Sequence, residues 1–328
     1  MKANAPERTY VEYLRGEADV FAAYSTRAGG VPSYPYANEA VFEALGVSDR
    51  LFVWPNQIHK TRIAVVDGRL IRAAEENGTL AEGDATARIR TAEEAERADG
   101  TVFEPFLLEK NGLRGIRIPV TDGVVTDRRD VVLTTIHADC LAVYLYDPAH
   151  GAIGLCHAGW KGTLGGIAVR TLETMRETYG TRPEDVHCAI SAGISQCCFQ
   201  VGEEVVLAFR AAYPYTDEYV TADAEGASTC TACGDMERLA KELREKRLAG
   251  APDGALKSAA GPEKPAFETP RYHMNLKGIN KRQLTDAGVP SDRIEVDSHC
   301  TCCEPKLFWS YRRERGCRER QGAILYLK

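Results

Sequence analysis

The sequence predicts an α+β fold, mixed β-sheets flanked by helices, organised as a single domain over residues 1–328. Three observations predict it. Short, near-continuous apolar runs cluster in the middle of the chain. Stretches of helical periodicity are interspersed without a regular strand–helix alternation. Neither a GxGxxG nor a P-loop fingerprint marks a doubly wound nucleotide fold. With 44% hydrophobic and 27% charged residues in 328, the chain has the material for a packed core without cross-links.

In order along the chain, DVFAAYSTR (19–27) reads as a strand ending in the turn Ala28-Gly29-Gly30. LFVW (51–54) and TRIAVV (61–66) read as a strand, loop, strand unit with Pro55 and His59 in the loop. Residues 67–120 open with a charged, alanine-rich stretch and are expected to be a partly helical surface insertion. VVLTTI (131–136), CLAVYLY (140–146) and AIGLCH (152–157) are buried-strand patterns, the last two joined by a turn at Asp147-Pro148 and Gly151. Leu164, Ile167, Ala168, Leu172, Met175 and Tyr179 share one face of a helix that Gly180 and Pro183 terminate. VHCAI (186–190) is a short strand, and Val201, Val205 and Phe209 mark a further helix. Residues 216–268 are expected to be a second insertion, with a helix capped by Asp235 and a Pro/Gly/Ala-rich linker over 249–265. A helix through Leu276, Ile279 and Leu284, stopped at Gly288, precedes strands at 293–296, 307–311 and 322–327.

Charge and cysteine usage narrow the function. A net charge of −6 offers no basic face for a nucleic-acid backbone. No apolar run reaches membrane-span length, and the N-terminal stretch carries acids where a secretory signal carries an apolar segment. The reading is a cytoplasmic protein, expected to be monomeric, whose eleven cysteines stay reduced and serve metal binding or catalysis in preference to cross-linking.

Three polar residues stand where an apolar core would not choose them. Cys140 opens CLAVYLY, His157 closes AIGLCH, and His59 lies in the loop after WPNQ. The tight turn between the two strands sets them side by side, with Cys140 and His157 toward the same end. One thiolate and two imidazoles suit a borderline-soft divalent ion, and three protein ligands leave a position open for a reactant, as catalytic zinc sites do. Taken singly, each residue also reads as an ordinary satisfied side chain at a strand end. A second grouping, Cys230/Cys233 with Cys300/Cys302/Cys303, has the donors for a structural zinc site, but the two clusters lie far apart in sequence and separate reduced thiols are the preferred reading.

The run HADCLAVYLYDPAHGAIGLCHAGWKGTLGGIAVRTLETM resembles the signature of the laccase-domain family, also called multicopper polyphenol oxidoreductase-like. STRAGGV (25–31), NQIH (56–59), TDGVVT (121–126), SAGISQCCFQVGEEV (191–205) and CTCCEPKLFWSYRRERG (300–316) extend the resemblance over most of the chain in order. It departs from the family pattern in PSYPYANEA after STRAGGV, in a longer connection between NQIH and TDGVVT, and in Lys161, where arginine is commoner. The resemblance implies a fold similar to that of a group of cysteine hydrolases. It also implies one zinc ion per chain on His59, Cys140 and His157, and phosphorolysis of purine nucleosides, methylthioadenosine included, with adenosine deamination on the same site. Copper binding in vitro, weak polyphenol oxidation and cell-wall precursor editing are the alternatives it carries. Seven histidines without an HxH pair speak against a true multicopper centre. Asp139, beside Cys140, is expected to orient a ligand histidine, move a proton or serve as a structural hydrogen-bond partner. Arg27 is the first candidate to hold phosphate, followed by Lys161 and Arg312. Trp160 reads as a purine stack or as packing, and His137 as a supporting residue.

Overall fold

The apolar runs become strands, and strand order decides which loops meet. The computed structural model describes residues 9–28, 42, 43, 45–81, 83–86, 88, 89, 93, 104–110, 112–222, 271–314 and 319–328. They divide into two units, Met1–Ile194 with Leu276–Lys328, and Ser195–Asn275.

The first unit contains two large sheets. Strands β1 (Tyr10–Tyr13), β2 (Val20–Ser25), β3 (Leu51–Pro55), β5 (Thr79–Leu80), β6 (Phe106–Lys110), β7 (Leu113–Ile118), β9 (Val131–His137) and β17 (Gln321–Leu327) form an eight-stranded sheet in the order β1-β2-β17-β9-β3-β7-β6-β5. Strands β4 (Ile63–Val65), β8 (Gly123–Thr126), β10 (Leu141–Asp147), β11 (Ala152–Ala158), β12 (His187–Ile190) and β16 (Ile294–Val296) form a six-stranded sheet in the order β16-β12-β10-β11-β8-β4. Tyr24, Leu133 and Leu325 of the larger sheet share one core with Val124, Tyr144 and Leu155 of the smaller. Phe21, Phe52, Trp54, Val132 and Ile324 build a second core on the other face of the larger sheet. Helix α1 (Gly68–Glu76) is capped by Asp67, whose carboxylate accepts from the Arg69 and Leu70 N–H groups. Helices α2 (Trp160–Leu164) and α3 (Ile167–Tyr179) follow β11, and α3 packs on β11 and β8.

The second unit contains strands β13 (Gln200–Gly202), β14 (Val220–Ala222) and β15 (Arg271–Met274) in one antiparallel sheet, with helix α4 (Glu203–Ala212) after β13. Back in the first unit, helix α5 (Leu276–Asp286) packs on α3, β12 and β16, and α6 (Tyr311–Glu314) is one short turn.

The mixed α+β class is as the sequence predicts, and several details differ. Residues 106–118 are two paired strands of the larger sheet, with Phe106, Ile116 and Ile118 buried, so the insertion expected over 67–120 is in part structural core. Arg117 belongs to this core, its guanidinium buried and donating to the carbonyls of Trp54 and Pro55 and to Asn56 Oδ1. The helix expected over 164–179 is broken at Gly165-Gly166, where Gly166 takes φ +71°. Val201 lies in β13, before its expected helix begins. Residues 307–311 do not form a strand. Leu307 and Phe308 N–H both donate back to the Glu304 carbonyl in a turn that leads into α6. Of the second insertion expected over 216–268, only residues 216–222 are among the described residues. The Asp235-capped helix, the 249–265 linker, Gly29-Gly30 and the Cys230/Cys233 pair lie outside the described residues.

Candidate active site

Three parallel strands of the larger sheet point the same way. Strand β3 pairs in parallel with both β7 and β9, so all three end at one edge. Each then crosses to the smaller sheet, β3 to β4 through residues 56–62, β7 to β8 through 119–122, and β9 to β10 through 138–140. Those three crossings carry His59, Asp122 and Cys140. Strand β11 runs antiparallel to β10 with Leu141 opposite Ala158 and Ala142 opposite His157, which returns His157 to the same edge.

The nitrogen and sulfur donors of His59, Cys140 and His157 all lie within 4.8 Å of one another. The two imidazole rings meet edge to face with centroids 4.7 Å apart. His59 is exposed, Cys140 half-buried and His157 buried. Gly159 closes one side. A Cβ on it would lie 3.1 Å from Cys140 Sγ, tighter than an ordinary contact, and in van der Waals contact with the His59 and His157 rings at 3.4 and 3.8 Å, so a side chain at this position would press on the thiol and fill space beside both imidazoles. A thiolate with two imidazoles around a space kept clear by a glycine fits a zinc-like ion.

The electrostatics prepare the thiol to ionise. Burial opposes ionisation of Cys140, but the charge and hydrogen bonding of His157 and His59 outweigh it and lower the thiol to about 6. Burial likewise disfavours a charge on His157, and Cys140 and Asp122 overcome it, raising the imidazole to about 10. Behind the pair, His157 Nδ1 lies 3.0 Å from Asp122 Oδ1. His137 is buried, its ring 5.4 Å from that of His157 and its Nε2 2.8 Å from Thr135 Oγ1, and burial foremost, then His157, holds its pKa well below the usual histidine range.

The other residues singled out in the sequence are placed as follows. Asp139 takes φ +87°, and its carboxylate accepts from Thr301 Oγ1 and from the Arg312 N–H, both at 2.7 Å. It thereby fastens the α6 turn beside Cys140, and the acid that reaches a histidine of the triad is Asp122. Arg27 pairs with Glu314, donates to the Phe308 carbonyl and lies over the Trp309 ring. Glu314 also accepts from Arg313. Lys161 is exposed in the first turn of α2, its Nζ 5.5 Å from the centroid of the Trp160 ring. Cys300 and Cys302 are buried in the first unit, and Cys300 bridges to Gly193. The residue that sequence reasoning passed over is Asp122. Its one signal was an acid directly before the apolar strand GVVT, a costly place for a charge without a partner.

The family model described as multi-copper polyphenol oxidoreductase laccase matches residues 22–248 and 238–328. A purine nucleoside phosphorylase of Geobacillus stearothermophilus is 32% identical over 210 residues, 63% of this chain and 60% of the relative, which is less than two thirds of the relative's length. A purine nucleoside phosphorylase of Bacillus subtilis is 26% identical over 94% of this chain and 89% of its own. An adenosine deaminase from an unknown prokaryotic organism is 27% identical over 91% and 86%. Among solved structures, a Bacillus licheniformis hypothetical protein superimposes with a TM-score of 0.63 at 24% identity, covering 99% of this chain and 98% of that one.

Proposed function

The chain belongs to the multi-copper polyphenol oxidoreductase laccase family, and from that premise we propose that it is a zinc-dependent purine nucleoside phosphorylase with adenosine deaminase and methylthioadenosine phosphorylase activity on the same site. The observation that carries the reading is the convergence of His59, Cys140 and His157 from separate elements onto one space. The names of the relatives supply the substrate class. Zinc held by these three side chains would supply a Lewis acid at an open coordination position.

The chain's own residues do the rest. In phosphorolysis the bond between the purine and the ribose anomeric carbon breaks, phosphate bonds to that carbon, and the base leaves with a proton. In deamination water replaces the amino group of adenosine and ammonia leaves. An incoming phosphate needs a cation, and Lys161, exposed and two residues from Gly159, meets that need in our reading, with Arg312 and Arg27. Arg27 would exchange part of its pairing with Glu314 for phosphate. Asp139 serves by holding the turn that carries Arg312. Trp160, carrying Lys161 across its ring, offers a face for a purine. The chain is proposed to work as a cytoplasmic monomer on small molecules. No helix among its described residues is long and apolar enough to cross a membrane. Copper bound in vitro would occupy the same donors.

The test is elemental analysis of protein purified without added metal, with adenosine turnover measured with and without phosphate. We expect near-stoichiometric zinc and release of adenine or inosine, both lost in Cys140→Ala. One observation favours a second reading. Cys140, His157 and Asp122 line up as nucleophile, base and orienting acid, the order of a metal-free cysteine hydrolase such as a cell-wall precursor editing enzyme. Protein that holds no metal and leaves nucleosides untouched would favour it.

A further inference from the structure

Asp122 is fully buried, and every acceptor on it is directed at a histidine of the triad or at its loop. Oδ1 accepts from the His59 N–H at 2.9 Å and lies 3.0 Å from His157 Nδ1. Oδ2 accepts from the Ile58 N–H at 3.1 Å and the Lys60 N–H at 2.9 Å. Its main-chain carbonyl accepts from the His157 N–H at 2.8 Å. Three successive amides converging on one anion form an anion-binding concavity built by the backbone. His59 sits at its centre with φ +62°, a left-handed conformation that costs a residue bearing a Cβ about 1–2 kcal/mol. Charge-assisted hydrogen bonds to a carboxylate that cannot reach water offset that cost.

The same oxygen that holds the His59 amide faces His157 Nδ1. A carboxylate there calls for a proton on Nδ1, which leaves Nε2 as the nitrogen with a lone pair for an ion. We infer that Asp122 is the positioning residue of this site, its one carboxylate setting both the left-handed turn that presents His59 and the tautomer that presents His157. The inference rests on the reading of the triad as a metal site. It accounts for two ligands, 98 residues apart in sequence, being set by a single side chain from a third element.

Asp122→Asn tests it. The amide keeps one acceptor and turns an NH2 toward groups that are themselves donors, so one side of the arrangement fails. We expect zinc affinity, measured by competition with a chromophoric chelator, to fall about 10–100-fold, the usual effect of removing a carboxylate partner from a ligand histidine. The control is Asp297→Asn. That acid is also buried, accepts from Tyr13 Oη and His299 Nδ1 at 2.8 Å each, and its loss should lower stability without moving zinc affinity. Should Asp122→Asn not fold, imidazole 15N spectra of the zinc-loaded wild type decide. His157 protonated on Nδ1 and ligating through Nε2 supports the inference, and the reverse tautomer overturns it. Wild-type zinc affinity in a folded Asp122→Asn also overturns it while leaving the metal reading intact. A wild type that takes up no zinc overturns both, a distinct result.

Discussion

Cys140 is one of several cysteines in the first unit, and its neighbours make it chemically different from the others. Cys156 and Cys188 lie in β11 and β12 among apolar side chains, and burial pushes both thiols up, Cys156 to about 12. Burial opposes ionisation of the half-buried Cys140 as well, but two imidazoles lower it to about 6. The sign of the pH dependence follows. Its thiolate persists above pH 6 and is lost as pH falls through that value, while His157 gives up its proton only near pH 10. Metal-free protein should therefore be alkylated by iodoacetamide at Cys140 with a rate that rises to half its maximum near pH 6 and is flat from pH 7 to 9. Zinc should protect it. Mass spectrometry of the modified peptide over pH 4.5–9 measures this, and an inflection near 8.5, where an unperturbed thiol titrates, would contradict it.

Among the elements, the break between α2 and α3 matters most to the site. The run after His157 has helical periodicity from Leu164 onward, and only the Gly165-Gly166 pair hints that it does not form one helix. Gly166 takes φ +71°, which lets α2 end after carrying Trp160 and Lys161 and lets α3 start in a new direction along β11. Gly166→Ala should cost about 1 kcal/mol, because a Cβ is disfavoured in the left-handed region. A lower urea midpoint at unchanged slope would report it, and an unchanged midpoint would show that the break does not depend on that conformation. Elements like these show what the sequence made legible. The β10–β11 hairpin, with Cys140 and His157 at one end, was readable because its partners are neighbours in sequence. Strands β6 and β7 were not, because Glu109, Arg114 and Arg117 interrupt the apolar pattern of a pair that joins distant β3 through β7 alone. Asp122 was missed for the same reason. Its hydrogen bonds reach 35 to 64 residues away, and no local pattern records them.

At the scale of the whole first unit, the site is where two sheets are tied together. The parallel alignment of β3, β7 and β9 brings three crossings from the larger to the smaller sheet to one edge. A metal on His59, Cys140 and His157 would join the β3–β4 crossing, the β9–β10 crossing and the end of β11. An ion that binds this arrangement and not the unfolded chain stabilises it by mass action, about 2.7 kcal/mol when free ion exceeds the dissociation constant 100-fold. Domains of about 150–250 residues gain roughly 2–4 °C per kcal/mol. Chelation should then lower Tm by roughly 5–10 °C, and added zinc should restore it in a concentration-dependent way. Cys140→Ala should show neither response, because removing one of three donors removes most of the affinity while leaving both sheets and their shared core in place. Calorimetry of wild type and variant, each with chelator and with zinc, separates the outcomes. A wild-type Tm indifferent to zinc would mean that the crossings hold their arrangement through Asp122 and the core alone, and that the three donors meet for thiol chemistry without a metal.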